Sequence, residues 1–303
     1  MSLDALPDEV AAEVQGLVGP LRSLQRVGGG CIHPAVHLRG ANGEAFLKWA
    51  EQPGDAGFAV EARGLRSLSR QGGVPVPDVL GVGSGSADRK GWLLLEWIPP
   101  GRTRTHTARD LGRGLAHLHR PLETGTDAAP APGWEEDGWI ATLPQPNPGG
   151  MTWPDFWARA RVEPQWRRAR EGGGFPRSED GAVERLLQRM DEALAGWETD
   201  GISILHGDLW SGNVHVARGG RPYLVDPAAY RGHREVDLAM LDLFGGFGHP
   251  FHEAYRDVSP AAPGHRRRQH VYQLYPLLVH VNLFGGGYTA RALSALDGAL
   301  AAT

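Results

Sequence analysis

The sequence predicts an α+β protein of two lobes, a small N-terminal lobe that is mostly β and a larger helical C-terminal lobe. At 303 residues, the chain is long for a single hydrophobic core. Strand-like patterns dominate its first third, whereas apolar residues at helical spacing dominate the rest. Pro99-Pro100-Gly101 separates the two patterns and predicts a hinge. We therefore predict lobes over residues 1–98 and 102–303 that share a cleft.

The N-terminal lobe begins with a helix at residues 7–18, where a proline stands in the first turn and its missing N–H costs nothing. Asn42-Gly43 lies between two apolar runs and is a strong signal for a β-hairpin. A second helix is predicted at residues 58–68. The strands of this lobe are predicted at residues 21–27, 36–39, 45–49, 76–82 and 92–98.

The C-terminal lobe is predicted to consist mainly of helices. Residues 121–152 are rich in Pro, Gly and Trp, and the prolines before Asn147 predict a long loop without regular structure. Short strands are predicted at residues 202–205, 214–216 and 223–225. The helices are predicted at residues 107–118, 153–170, 183–197, 236–244, 251–257, 267–283 and 288–300.

Composition excludes several functional classes. The formal charge of −4 excludes a strongly basic nucleic-acid binder. Cys31 is the single cysteine, which excludes an intramolecular disulfide framework and a cysteine-rich zinc site and suits a reducing cytosol. The N-terminus resembles no secretory signal, and the most apolar stretch, residues 271–284, is too polar to span a bilayer. We expect a cytoplasmic protein without a nucleic-acid or membrane partner.

The segment from Leu205 to Val214 carries the strongest chemical signal. Asp208 and Asn213 stand five residues apart in a loop between apolar segments, and Asp226 follows the strand predicted at 223–225. Phosphoryl transfer from ATP needs a carboxylate that accepts the proton of the attacking hydroxyl, and oxygen donors that hold Mg²⁺ against the phosphates. Asp208 could instead cap a helix and Asp226 could begin a turn, but their combined spacing favours catalysis. We predict Asp208 as the base and Asn213 and Asp226 as metal ligands.

Lysine is scarce in this chain, because only Lys48 and Lys90 accompany 29 arginines among the 31 basic residues. Lys48 lies in a predicted strand, and Glu61 lies in the helix that follows. An ammonium is a compact charge that can reach the phosphates of ATP, whereas a guanidinium prefers forked contacts. A lysine that extends to solvent is the alternative. We predict that Lys48, paired with Glu61, contacts the α- and β-phosphates.

Two further segments of the N-terminal lobe are predicted to contact ATP. Gly28, Gly29 and Gly30 form a loop whose N–H groups could cover the phosphates, although it matches neither the Walker A nor the dinucleotide pattern. Cys31 follows directly, and we give a packing role and a redox-sensitive role as its alternatives. The backbone of Glu96, Trp97 and Ile98, before the hinge, is predicted to face the adenine.

These motifs together resemble the fructosamine kinase (ketosamine 3-kinase) family, within the protein-kinase-like group that includes aminoglycoside and choline kinases. The resemblance covers nearly the whole chain. The run HGDLWSGNV beginning at His206 carries it, together with the segments at residues 226–228, 232–240 and 272–288 and with LPQPN at residues 143–147. It implies a protein-kinase-like fold with the active site in the cleft between the lobes, and it suggests Trp210 and His233 as contacts of the acceptor.

By this resemblance, the reaction is the ATP-dependent, Mg²⁺-dependent phosphorylation of the 3-hydroxyl of a ketosamine, free or protein-bound, which then releases the amine. Two alternatives remain open: a related kinase of aminoglycosides, choline or another amino-sugar, and a catalytically silent kinase-like binding module. The presence of Lys48, Glu61, Asp208, Asn213 and Asp226 argues against the silent module. Gly138 stands where the family usually has asparagine after an aspartate, so the acceptor preference could differ.

Overall fold

The computed structural model describes residues 6–28, 33–52, 54, 57–123, 130–301 and 303. The chain divides into two compact units. The first unit contains residues 1–107 and 212–227, and the second contains residues 108–211 and 228–303. This division differs from a single boundary at 99–101, because a segment from the middle of the chain returns to the first unit.

The first unit is built on a five-stranded antiparallel sheet with the strand order β1-β2-β3-β5-β4. The predicted hairpin is present, and Gly40 pairs with Gly43 across a turn at residues 41–42. Only glycine fits at Gly40, because a Cβ there would lie 2.2 Å from the Val18 carbonyl oxygen. The strands are β1 (Leu21–Arg26), β2 (Ala35–Gly40), β3 (Gly43–Trp49), β4 (Val79–Gly83) and β5 (Trp92–Glu96).

The first unit also contains two helices, α1 (Asp8–Val18) and α2 (Phe58–Gln71). The valines of α1 recur every fourth residue, so they share one face of the helix and are buried with Leu38, Leu47 and Trp92 of the strands. Each helix ends at a glycine with positive φ, Gly19 or Gly72, whose N–H donates to the carbonyl four residues earlier.

The returning segment of the first unit is a short hairpin of β9 (Val214–Val216) and β10 (Pro222–Leu224). Gly101 N–H donates to the Val216 carbonyl at 2.7 Å, and Leu224 N–H donates to the Pro75 carbonyl at 2.9 Å. These bonds join the hairpin to the chain on either side of β5. They hold the hairpin, whose open end carries both Asn213 and Asp226, within the first unit.

The second unit is mostly helical. The long helix α10 is its centre, with buried residues on most of its length and contacts to α5, α8 and α11. The helices of this unit are α3 (Thr107–Leu118), α4 (Trp153–Phe156), α5 (Glu163–Glu171), α6 (Asp180–Gln188), α7 (Met190–Ala193), α8 (Glu235–Leu243), α9 (His249–Val258), α10 (His265–Phe284) and α11 (Thr289–Leu300). Its strands are β6 (Gly138–Ile140), β7 (Leu143–Gln145), β8 (Ser203–Leu205) and β11 (Tyr230–Gly232).

Three predicted elements need correction. Residues 121–152 contain the hairpin β6–β7, although their prolines predicted a loop without regular structure. Pro144 is exposed and lies opposite Trp139, where a residue without an N–H donor is tolerated. Ala141 takes the left-handed conformation, φ +54°, at the turn. The helix predicted at 153–170 is interrupted by a π-helical turn, Trp157–Val162. The helix predicted at 183–197 is broken after Gln188, because Arg189 leaves the helical conformation.

None of the helices in the described part of the chain is both long enough and apolar enough to cross a membrane.

The close contact between helices α3 and α9 in the second unit can be tested by substitution. Alanine is normally favoured over glycine inside a helix, but a Cβ at Gly112 would lie 2.4 Å from the Phe251 carbonyl oxygen of α9. We expect Gly112→Ala to lower the free energy of unfolding by about 1–3 kcal/mol through overpacking. Gly181→Ala in α6 is the matched control, because the nearest described atom would lie 3.8 Å away. It should be stabilising by about 0.4–1 kcal/mol. Urea denaturation measures both changes, and the same sign for both would contradict this account.

Candidate functional site

Lys48 lies in β3 and makes two ion pairs. Its Nζ is 2.7 Å from Glu61 Oε2 of α2 and 2.7 Å from Asp226 Oδ1, which follows β10. The lysine side chain is nearly fully buried, and the Phe58 ring lies below its ammonium with the centroid at 5.8 Å. The structure therefore brings together three residues that the sequence separates by up to 178 positions.

The charges of this cluster depend strongly on one another. Burial raises the pKa of Glu61 to about 7, and the charge of Lys48 offsets only part of that effect. Burial alone would lower the pKa of Lys48, but the charges of Glu61 and Asp226 and their hydrogen bonds raise it above its usual value. Lys48 is consequently a fixed cation at physiological pH. Glu61 Oε1 is buried without a hydrogen-bond partner among the described residues.

Asn213 and Asp226 stand at the same end of the β9–β10 hairpin. Val225 N–H donates to the Asn213 carbonyl at 3.0 Å, which continues the pairing of Val214 with Leu224 by one residue. Asp226 has φ +53°, a left-handed conformation that aspartate tolerates better than most residues. A carboxylate and a side-chain amide at one hairpin end supply the hard oxygen donors that Mg²⁺ prefers. The residues present therefore fit a magnesium site.

Asp208 belongs to the second unit, in the loop after β8, and is half-buried. Its backbone N–H donates to His206 Nδ1 at 3.3 Å. Gly207 before it has φ +80°, and a Cβ there would lie 2.1 Å from the Ala228 carbonyl oxygen. Glycine is therefore required immediately before the predicted base.

Asp237 of α8 holds this loop, a role that none of the motifs in the sequence indicated. Its carboxylate accepts the N–H of His206 at 2.8 Å and the N–H of Gly207 at 2.9 Å. His119 lies 3.0 Å from the same carboxylate. Burial alone would raise the pKa of Asp237, but the hydrogen bond and charge of His119 hold it below its usual range. An aspartate within the apolar run at residues 236–241 was the signal in the sequence.

The remaining predicted ATP contacts lie in the first unit. Gly28 is exposed, whereas Gly29, Gly30 and Cys31 lie outside the described residues. Glu96 ends β5, and the Trp97 ring stacks on His37 with centroids 3.8 Å apart. The Ile98 carbonyl is 3.0 Å from His215 Nε2 of β9. Their roles toward ATP stay predictions.

The two suggested acceptor residues lie in different surroundings in the second unit. Trp210 is half-buried. His233 is fully buried, with Tyr272 Oη 2.8 Å from Nδ1 and Asp200 Oδ2 3.2 Å from Nε2. This placement favours a structural role for His233 over an acceptor contact.

Asp200, His233 and Glu235 form the one group of three residues, within the described part of the chain, whose donor atoms lie close enough together for a metal ion. Arg234 pairs with Asp200 at 2.7 Å, and Arg268 pairs with Glu235 at 2.7 Å. Because each carboxylate already has an arginine partner, the group is a closed ionic network.

Known proteins resemble this chain over almost its full length. The family model for fructosamine kinase matches residues 8–302. A probable ketoamine kinase of Synechocystis sp. is 37% identical over 287 residues, which cover 93% of each protein. The chloroplastic protein-ribulosamine 3-kinase of Arabidopsis thaliana is 33% identical over 301 residues, which cover 98% of this chain and 88% of the plant protein.

Solved structures show the same relationship. A candidate fructosamine-3-kinase of Thermobifida fusca has a TM-score of 0.83 and 34% identity, covering 98% of this chain and 100% of that chain. An aminoglycoside phosphotransferase shares the fold, with a TM-score of 0.61 and 16% identity over 97% of this chain and 98% of that chain. The prediction of a protein-kinase-like α+β fold is confirmed.

The clamp at Asp237, in which its carboxylate accepts the N–H groups of His206 and Gly207, leads to a prediction about stability. Asp237→Asn replaces an acceptor of several N–H groups with an amide that must turn its NH₂ toward one of them. We expect the free energy of unfolding to fall by about 3–5 kcal/mol, as when one partner of a buried ion pair is removed. Because the pKa of Asp237 is lowered, the advantage of the wild type is present above the usual aspartate pKa and disappears as the pH falls through the lowered one.

Asp242→Asn in the same helix is the control, since Asp242 is exposed and pairs with His252 near the surface. It should cost less than about 1 kcal/mol. Urea denaturation of the two variants between pH 3 and 8 makes the comparison, and equal losses would remove the clamp as a source of stability.

Proposed function

The chain belongs to the fructosamine kinase family, and we therefore propose that it transfers the γ-phosphoryl group of ATP to the 3-hydroxyl of a ketosamine. The contact of Lys48 with both Glu61 and Asp226 is the observation that carries this proposal. A buried lysine with two carboxylates is the arrangement expected of a phosphate-binding cation held ready between a helix and a metal ligand.

On the ATP side, Lys48 would contact the α- and β-phosphates while Glu61 fixes its ammonium. The loop at Gly28 would cover the phosphates, and the backbone of residues 96–98 would hold the adenine. Asn213 and Asp226 would hold Mg²⁺, which neutralises charge on the phosphates when bound. The chain's own contribution is thus mainly positioning and charge.

On the acceptor side, Asp208 would accept the hydrogen bond of the attacking hydroxyl and take its proton as the bond to phosphorus forms. Asp237 supports this step, because it fixes the two backbone N–H groups that precede Asp208. Trp210, two residues beyond Asp208, would form part of the acceptor wall.

The names of the relatives support the substrate class. The plant relative is a protein-ribulosamine 3-kinase, a name that includes both the 3-position and a protein-bound adduct. We therefore include free and protein-bound ketosamines as acceptors, with release of the amine after phosphorylation as the biological outcome. The single cysteine among 303 residues supports the cytoplasm as the place of action.

The decisive experiment is ADP release by the purified protein with Mg²⁺ and ATP across fructosamines, ribulosamines, erythrulosamines, aminoglycosides and choline. We expect turnover with the ketosamines. Asp208→Asn should bind ATP normally but reduce turnover by about 10²–10⁴-fold, the usual contribution of a general base. Turnover limited to aminoglycosides or choline would contradict the proposed acceptor, and nearly full turnover by Asp208→Asn would remove this residue from the mechanism.

Lys48 and Lys90 form a matched pair of substitutions to arginine. Lys48→Arg keeps the charge, but the broader guanidinium cannot fit the buried space between Glu61 and Asp226. Loss of one charged hydrogen bond costs about 1.5–3 kcal/mol, so kcat/KM for ATP should fall by about tenfold or more. Lys90→Arg should leave it unchanged, since Lys90 lies outside the cluster. The same kcat/KM in both variants would show that the ammonium has no special role.

A further inference from the structure

The second unit contains a buried arginine that the mechanism above does not use. Arg161 lies in the π-helical turn between α4 and α5, and its side chain is fully buried. No ion pair with a carboxylate is found for it within the described part of the chain. Burying an ionised group costs much free energy unless its environment compensates. The groups that stabilise the charge of Arg161 show which segment of the chain this residue holds in place.

Oxygens and aromatic rings surround the guanidinium. Arg161 Nη1 donates to the Pro146 carbonyl at 2.6 Å, and Nη2 donates to Asn147 Oδ1 at 2.7 Å. The Tyr230 ring centroid is 4.0 Å from Cζ, and the Phe156 ring centroid is 4.6 Å from it. Charged hydrogen bonds and cation–π contacts of this kind are strong in a dry interior. Arg161 therefore fixes the chain immediately after the β6–β7 hairpin.

Gln145, at the end of β7, connects this fixed segment to the loop of Asp208. Its amide nitrogen donates to the Ala228 carbonyl at 3.1 Å, and its amide oxygen accepts the Tyr275 hydroxyl at 3.1 Å. Ala228 N–H in turn donates to the His206 carbonyl at 2.9 Å. The Ala228 carbonyl also lies where a Cβ on Gly207 would collide with it. Gln145 thus holds the backbone against which the residue before Asp208 packs.

The charges of Arg161 and Asp208 both affect the Tyr275 hydroxyl. Burial raises the pKa of its hydroxyl, the charge of Arg161 lowers it, and the charge of Asp208 raises it further. The Tyr275 ring centroid is 5.8 Å from Arg161 Cζ, so the ring that carries the hydroxyl bonded to Gln145 lies beside the buried cation.

We propose that Arg161 is a positioning residue for phosphoryl transfer, which acts through Gln145 and Tyr275 on the Ala228 backbone and so on Asp208. The inference rests on the proposed function, because it assigns Asp208 the role of base. The side chains of Arg161 and Gln145 are buried, so neither contacts the acceptor; both set the place of the group that does.

Tyr275→Phe is the gentlest test, because it removes one hydroxyl and keeps the ring beside Arg161. We expect kcat with a ketosamine to fall by about tenfold, since small displacements of a reacting group have large effects on rate. KM for ATP and the melting temperature should stay close to the wild-type values. Gln145→Leu should have an equal or larger effect on kcat, and the double variant should be no worse than Gln145→Leu alone.

Arg161→Lys keeps the charge but cannot donate to both Pro146 and Asn147 in the same way, so kcat should fall by about tenfold or more. Arg159→Lys is the matched control, since Arg159 lies two residues earlier in the same turn and its side chain is mostly exposed. It should retain wild-type kcat.

Hydrogen exchange of the Ala228 amide provides a readout that needs no substrate. Exchange should be faster in Tyr275→Phe and Gln145→Leu than in the wild type or in Arg159→Lys. The proposed positioning role would be overturned if Tyr275→Phe and Gln145→Leu both kept wild-type kcat and unchanged exchange of the Ala228 amide. It would also be overturned if kcat fell only in proportion to the fraction of folded protein. Absence of ketosamine turnover by the wild-type protein would instead count against the proposed function. The exchange experiment would still show whether Gln145 and Tyr275 position the Ala228 backbone.

Discussion

The two ion pairs of Lys48 impose the constraint on which the first unit depends. A buried ammonium without a partner would be too costly, so β3, α2 and the segment after β10 must meet at one point. This requirement explains why the first unit includes residues 212–227, which are far from it in sequence. The five-stranded sheet supplies a rigid base for the lysine, and the hydrogen bonds of Gly101 and Leu224 hold the returning hairpin in register. The cluster therefore also fixes Asn213 and Asp226.

The second unit solves a related problem with backbone groups. The loop of Asp208 has left the ladder of β8, and its N–H groups would be unsatisfied in the interior without a partner. Asp237 supplies one carboxylate for two of them, and His119 stabilises the charge of that carboxylate. Gly207 allows the chain to pass close to the Ala228 carbonyl. The two backbone N–H groups before the predicted base are thus hydrogen-bonded although the chain has left the sheet.

The sequence predicted the local features of this protein well and its long-range polar contacts less well. Periodic apolar residues predicted most helices, and Asn42-Gly43 predicted the first hairpin, because both signals act over a few residues. The spacing of Asp208, Asn213 and Asp226, together with the scarcity of lysine, indicated the candidate site. The hairpin β6–β7 was missed, because its one proline, Pro144, lies at an exposed position opposite Trp139 that tolerates a residue without an N–H donor. Asp237 and Arg161 were missed as well, since their partners lie on other elements and no local pattern identifies them.

The use of basic residues follows from these polar requirements. Arg161, Arg234 and Arg268 are buried and each donates to several fixed oxygens, which a planar fork satisfies well. Their partners belong to the protein, so the contacts can be permanent. Under the proposed function Lys48 differs, because a cation that binds phosphate must keep its position while a ligand joins its contacts. A flexible stem with a compact charge suits that task, and the rigid carboxylates on both sides limit how far it moves. Under the proposed function, this arginine-rich chain therefore uses arginine for its permanent structural cations and a buried lysine for the cation that must accept a ligand.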